Sequence, residues 1–189
     1  MNERNTVVRS LHDLGLAAWF GGTLAGAVGI NGAAADLPDP KQRLQVADAG
    51  WARWTPVNLA AIGAHLIGGV GLLAGNKSRV VAQRGVGASS VAKTVLTAAA
   101  LGVTAYSRAL GKKLEDAENT SVQGATEPAA GTPDDVAKAQ NQLKVAQWAI
   151  PLLTGALVVL NALHGEQQRP SQQLPGILAK PARLLGMAA

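Results

Sequence analysis

Thr55-Pro-Val-Asn-Leu-Ala-Ala-Ile-Gly-Ala-His-Leu-Ile-Gly-Gly-Val-Gly-Leu-Leu-Ala-Gly75 runs for twenty-one residues without a charge. A helix needs about twenty mostly apolar residues to cross the hydrocarbon of a bilayer. Three more stretches read the same way. Leu14 to Ile30 is uncharged, Val86 to Tyr106 carries only Lys93, and Gln147 to His164 has no acid or fixed base. A soluble helical bundle would show charged residues along the outer face of each helix, and these stretches lack them. The sequence therefore predicts an all-α, four-transmembrane-helix bundle. Its spans fall at about 12–34, 55–75, 86–108 and 146–164.

Composition agrees. Of 189 residues, 36 are Ala and 22 are Gly, and 15% are charged, against about 25% in soluble domains. Mean hydropathy is only +0.14, because polar residues collect between the quiet stretches. There is no Cys, which excludes disulfides and thiolate chemistry. A hydrophobic share of 48% excludes a chain disordered throughout. Residues 1–166 read as one membrane domain and 167–189 as a tail, disordered or lying on the membrane through Leu174–Leu185.

A cleavable signal peptide is the competing reading of the first span. Asn31-Gly-Ala-Ala-Ala35 is a small-residue end of the cleavable kind, but the apolar run is long and His12 and Asp13 interrupt its entry. It is read as a retained span. Four spans put both termini on one side. Basic residues divide eight against eight between the two sides. The short, dense loop with Lys77, Arg79 and Arg84 weighs most under the positive-inside rule. Both termini are accordingly expected in the cytoplasm of a plasma membrane, with the basic rim facing anionic headgroups.

The connections carry helix signals. Asp39-Pro40 opens a short interfacial helix ending in Trp51 and Trp54, whose rings are expected at headgroup level. Pro56 then starts the second span. The third span is expected to continue past Tyr106 toward Glu115. Thr132-Pro133-Asp134-Asp135 starts a helix that runs through Lys144 and Trp148 into the fourth span, with a kink at Pro151. These give helical extensions on the extracytoplasmic side. Residues 118–131, rich in Ser, Thr, Gly, Pro and Ala, read as a mobile loop. No internal repeat is evident.

Candidate functional residues are few. Gly22 with Gly26, and Gly71 with Gly75, form GxxxG pairs suited to helix packing, within the bundle or against another membrane protein. Asp13, Asn58, His65, Lys93 and Asn161 are polar residues inside the spans, where such groups usually face protein. Asp13 and Lys93 lie at similar depth, and an ion pair between the first and third helices is expected unless Asp13 faces water. His12 and His164 share the cytoplasmic side and could flank a haem, whereas His65 falls near mid-membrane. No cofactor or metal is otherwise indicated. GxxxxGK[ST], HExxH and GxSxG are all absent, and nothing points to an enzyme or to nucleic-acid binding.

Ser10-Leu-His-Asp-Leu-Gly-Leu-Ala-Ala-Trp-Phe-Gly-Gly22 resembles the first helix of uncharacterised small four-span membrane proteins of high-GC actinobacteria. Its His, Trp and paired Gly are also similar to first helices in copper-resistance-D-like families. The resemblance covers thirteen residues and implies a bacterial inner-membrane location, with no activity attached. Copper ligands do not accompany it, since Cys is missing and Met occurs only at positions 1 and 187. The expected role is a non-enzymatic accessory or scaffold subunit packed on a larger membrane complex or lipid-handling system. The alternatives are a small proton-coupled transporter using Asp13, His65 and Lys93, and a bis-His haem protein for electron transfer.

Overall fold

The computed structural model describes residues 5–75 and 84–167, with the side chains of the second segment described from 89 to 163. The tail, the basic loop residues Lys77 and Arg79, and the side chains of Arg84 and His164 lie outside them. Four long helices form the described chain. They are α1 (Thr6–Ala35), α2 (Gln42–Gly75), α3 (Arg84–Glu115) and α4 (Asp134–Gln167). By length and composition α1, α2 and α4 are able to cross a membrane. α3 has the length but is the least apolar of the four. The only β feature among the described residues is an isolated bridge between Val122 and Pro128.

The faces are distributed as a hydrocarbon solvent requires. Leu14, Val28, Leu59, Ile67, Val70 and Leu152 are exposed, while Thr23, Asn31, Asn58, His65, Gln147 and Thr154 are buried. In water this arrangement would be costly, because polar groups are desolvated and apolar ones are not. In lipid it is the favourable order. A small apolar core remains at the centre, built on Leu16, Trp19, Ile62, Ala100, Ile150 and Leu157.

α1 and α2 lie antiparallel in contact along their length, and glycine sets how close they come. A Cβ on Gly15 would strike the backbone of Ala61 and His65, and one on Gly68 would strike the backbone of His12. Toward the chain termini, Val8 and Asn5 on the α1 side sit over Gly71 and Gly75. At the other end the roles reverse, with Trp54 and Trp51 of α2 over Gly22 and Gly26. Both GxxxG pairs are thus consumed inside the chain. The tryptophan rings fill the notches that the α1 glycines leave.

This contact also explains why α2 is one helix of 34 residues with Pro56 inside it, where the sequence suggests two elements. Proline removes one hydrogen bond from the ladder. The tryptophans on one side of Pro56 and Asn58, Ala61 and His65 on the other must all meet α1 in one register, and an unbroken helix provides that. α4 likewise runs unbroken through Pro151. Within α1, residues Gly26–Ile30 make a single π-helical turn. Its extra residue rotates the remainder of α1 by about 100°, and buried Asn31 and Ala34 lie in that remainder.

α3 and α4 form a second antiparallel pair, and α4 joins it to α1, whereas α2 and α3 meet only slightly. At about 1.5 Å per residue, α2 and α4 are each about 51 Å long, well beyond a hydrocarbon layer of about 30 Å. The surplus builds a cap at the end opposite the chain termini. Leu110, Leu114, Val136, Ala139 and Leu143 pack there. So do Ala34, Ala47 and Ala125.

Residues 118–131, expected to be mobile from their composition, are held at many points in this cap. Arg43 donates from Nη1 to the carbonyls of Val122 (3.2 Å) and Gln123 (2.9 Å), and from Nε and Nη2 to Leu37. Gln140 Nε2 donates to the carbonyls of Gly124 (2.9 Å) and Ala125 (3.2 Å). Glu127 pairs with Lys144 at 3.3 Å. The ties come from residues far away in sequence, which local composition does not register.

Glycines at the α1–α2 crossing and glycines facing open space should respond oppositely to alanine. Gly21 and Gly63 have nothing within 4 Å of an added Cβ, and Gly→Ala inside a helix favours folding by about 0.5–1 kcal/mol. Gly21→Ala and Gly63→Ala should hold or raise the melting temperature in detergent. Gly15→Ala and Gly68→Ala should lower it, at the roughly 1–3 kcal/mol typical of overpacking. Equal responses from all four would mean that the helices do not touch at Gly15 and Gly68.

Candidate functional site

The close approach at Gly15 and Gly68 brings His12 and His65 face to face. Their rings stack with centroids 4.1 Å apart and planes 19° from parallel. His12 Nδ1 donates to the carbonyl of His65 at 3.0 Å, and His65 Nδ1 donates to the carbonyl of His12 at 3.0 Å. A carbonyl oxygen only accepts, so both rings carry a proton on Nδ1, and Nε2 is the nitrogen left for other chemistry. His65 is buried at 2% exposure, and Trp19 lies 6.2 Å from it, tilted.

The two histidines therefore share one level of the bundle, which corrects the expectation that His65 is displaced in depth from His12. The sequence carries a signal for this pairing. His-x-x-Gly occurs at His12–Gly15 and again at His65–Gly68. In an antiparallel pair each glycine admits the backbone that bears the other helix's histidine. Two short, approximate copies on separate helices do not register as a repeat until the helices are paired.

Beside this pair lies a chain of polar contacts. Lys93 Nζ donates to Asn161 Oδ1 at 3.0 Å, and Asn161 Nδ2 donates to Asp13 Oδ1 at 3.3 Å. Lys93 and Asp13 thus do not form the expected ion pair. α1 and α3 are not neighbours, since α4 stands between them, and Asn161 of α4 bridges the gap. The amide suits that place, because it accepts from the ammonium and donates to the carboxylate at once. Four of the five polar residues singled out from sequence, together with His12, enter these two linked groups.

Asn58 is elsewhere, buried in α2 nearer the middle. A second interhelical network joins Trp51 to Asn31 and Gln147, which are not among the polar residues singled out inside the spans. Asn31 Nδ2 donates to Gln147 Oε1 at 2.6 Å, and Trp51 Nε1 donates to Asn31 Oδ1 at 2.9 Å. It joins α1, α2 and α4 beside the π turn.

Neither network resembles a metal centre. Among the described residues no group of three or more His, Cys, Asp or Glu is placed to hold a metal ion. Axial haem ligands stand on opposite sides of an iron, so two imidazoles stacked directly on each other do not serve as such a pair. The His12–His164 arrangement lies outside the described residues, since the His164 side chain is not among them.

One carboxylate in the cap is unusual. Asp48 of α2 is partly buried, and that burial pushes its carboxyl up to about 7. Glu115 and Glu118 push it the same way, and Arg108 opposes them.

Comparison with protein-family models, with curated proteins and with solved structures gives no match.

The contacts of Asn161 and the burial of Asp48 each lead to a measurable outcome. Interhelical hydrogen bonds in membranes are worth about 0.6 kcal/mol on average and up to about 1.7 kcal/mol. A double-mutant cycle of Lys93→Met with Asn161→Leu should give a coupling in that range. In the Asn161→Leu background, Asp13→Asn and Lys93→Met should become additive. Coupling that persists there at full size would show direct attraction between Asp13 and Lys93. For Asp48, the folded-state pKa lies above the unfolded value of 3.8, so between these values the folded state holds the proton more tightly. Stability is then greatest below about pH 4, falls as pH rises toward 7, and is level above that. Melting curves from pH 4 to 8 should show this decline, and Asp48→Asn should flatten it. A decline that survives the substitution assigns it to other groups.

Proposed function

We propose that this chain is a multi-pass protein of a bacterial plasma membrane, with four spans and both termini cytoplasmic. In this reading it acts as a non-enzymatic accessory or scaffold subunit of a larger membrane complex. The observation that carries it is the use of the buried polar groups. His12 with His65, Lys93 with Asn161 and Asp13, and Asn31 with Gln147 and Trp51 bond to one another and hold helices together. Many of the larger apolar side chains are turned outward. Such a molecule invests its chemistry in its own architecture and offers its outer faces to lipid and neighbouring helices.

α3 fits as the fourth span because Lys93, the one charge within its quiet stretch, turns inward to Asn161 while Val91 and Val95 face out. The short basic loop and the first-helix resemblance support the orientation and the bacterial membrane. A second reading, proton-coupled transport, is favoured by one observation. Lys93, Asn161 and Asp13 make a continuous polar line, and Asp13 at its end is exposed.

Affinity purification of the tagged chain from its own membranes in mild detergent separates the two readings. An accessory subunit should bring a stoichiometric membrane-protein partner. A chain recovered alone, whose Asp13→Asn and Lys93→Met forms fail to support growth in the host, would overturn the accessory reading in favour of the carrier.

A further inference from the structure

The outer side of the α3–α4 pair carries an open groove of about 740 Å³, within the range of about 300–1,000 Å³ common for small-molecule sites. Its character changes along its length. Val103 of α3 and Ala146 and Ala149 of α4 line one end, and the polar residues Lys138 and Asn141 line the other. The polar end points to the cap and the apolar end to the middle of the bundle, since α4 enters the cap at Asp134 and descends from there. Tyr106, half exposed, also lines the groove. Tyrosine favours the headgroup zone of a bilayer, which puts the change of character where lipid itself changes from head to tail.

Charge is arranged along the polar end as well. Asp134 also lines the groove, one helical turn above Lys138. Asp134 and Lys138 are both exposed, and neither forms an ion pair with another described residue. Residues four apart on a helix stand about 5–6 Å from each other. A cation nearer the membrane and an anion farther out complement a headgroup whose phosphate is deep and whose amine is outermost. The apolar floor is made of small side chains, which leave a channel for a hydrocarbon tail.

We propose that this groove binds a zwitterionic phospholipid of the phosphatidylethanolamine kind. Its phosphate rests on Lys138, its ammonium faces Asp134, and one acyl chain lies along Val103, Ala146 and Ala149. The site rests on the reading of the chain as a membrane protein but adds a defined ligand to it. Alkaline extraction of membranes tests that underlying reading separately, because a chain released into the supernatant would be no membrane protein whatever its groove binds.

Native mass spectrometry of the full chain in detergent, with phosphatidylethanolamine or phosphatidylglycerol added, tests the groove. One-to-one adducts with phosphatidylethanolamine should exceed those with phosphatidylglycerol. Lys138→Gln should reduce them about fivefold, and Ala149→Phe should remove them by filling the channel. Lys138 makes no ion pair with a described residue, so its substitution should leave the melting temperature unchanged and keep the test decisive if Ala149→Phe fails to fold. Equal adducts on wild type and both variants would mean unselective surface lipid and overturn the proposal, as would a preference for phosphatidylglycerol. A doubled mass that Lys138→Gln or Ala149→Phe abolishes would place a second copy in the groove and also overturn it.

Discussion

α1 and α2 meet where glycine lets their backbones touch, the kind of contact that holds helices together in hydrocarbon, where hiding leucine gains little. Gly15 and Gly68 are points of backbone contact in that approach, and much else depends on them. Only at such a separation does each imidazole reach the other helix's carbonyl. The same register seats Trp51 and Trp54 on Gly26 and Gly22. It also fixes the height of His12, and with it that of Asp13, the next residue along. Asp13 must lie where Asn161 of α4 can meet it. A shift of one helical turn between α1 and α2 would break these contacts together.

The three-helix networks do different work from the glycines. Glycine contacts say how near two helices lie, but tolerate some sliding and rotation. Hydrogen bonds between amides and an indole do not, because each has a required distance and direction. Asn31 with Gln147 and Trp51 pins the cap side of the bundle, and Asn161 with Lys93 and Asp13 pins the opposite side. α4 contributes the central amide to one network and a partner to the other, which is why it joins the two helix pairs. In the cap, Arg43 extends the same logic to loops by gathering three carbonyls from two connections.

Much of this architecture is visible in the chain before folding. Uncharged stretches mark the helices, Thr132-Pro133 marks the start of α4, and the reach of α3 to Glu115 agrees with an unbroken helical pattern. The polar residues inside the spans also identify themselves, and four of the five find partners in the two networks, while Asn58 Oδ1 is buried without one among the described residues. What stays hidden is who meets whom. Asp13 and Lys93 look like natural partners by charge and depth, and only the arrangement of helices shows that an amide must come between them. Trp51 and Trp54 suit headgroup level by residue type, and the register against α1 adds the glycine notches that receive them. Pro56 looks like a boundary because its local preference is strong, yet the contacts on both sides of it are stronger. Residues 118–131 look loose because their anchors sit on other elements. What stays hidden has one cause, which is that local signals carry no information about partners distant in sequence.

The networks also bear on how the chain is built during synthesis. Asn31 and Gln147 are 116 residues apart, and Asp13 and Asn161 are 148 apart. At about 5–20 residues per second, α1 and α2 are complete for several seconds before their partners on α4 emerge. The α1–α2 hairpin can close by itself in that interval, since its glycine notches and histidine bonds need nothing from later segments. Asn31 meanwhile has Trp51 but not Gln147, and Asp13 has no amide to receive. Arrival of the last helix satisfies both at once and latches the finished molecule. A chain truncated before α4 would leave Asn31 and Asp13 without the side chains of Gln147 and Asn161 that complete their networks.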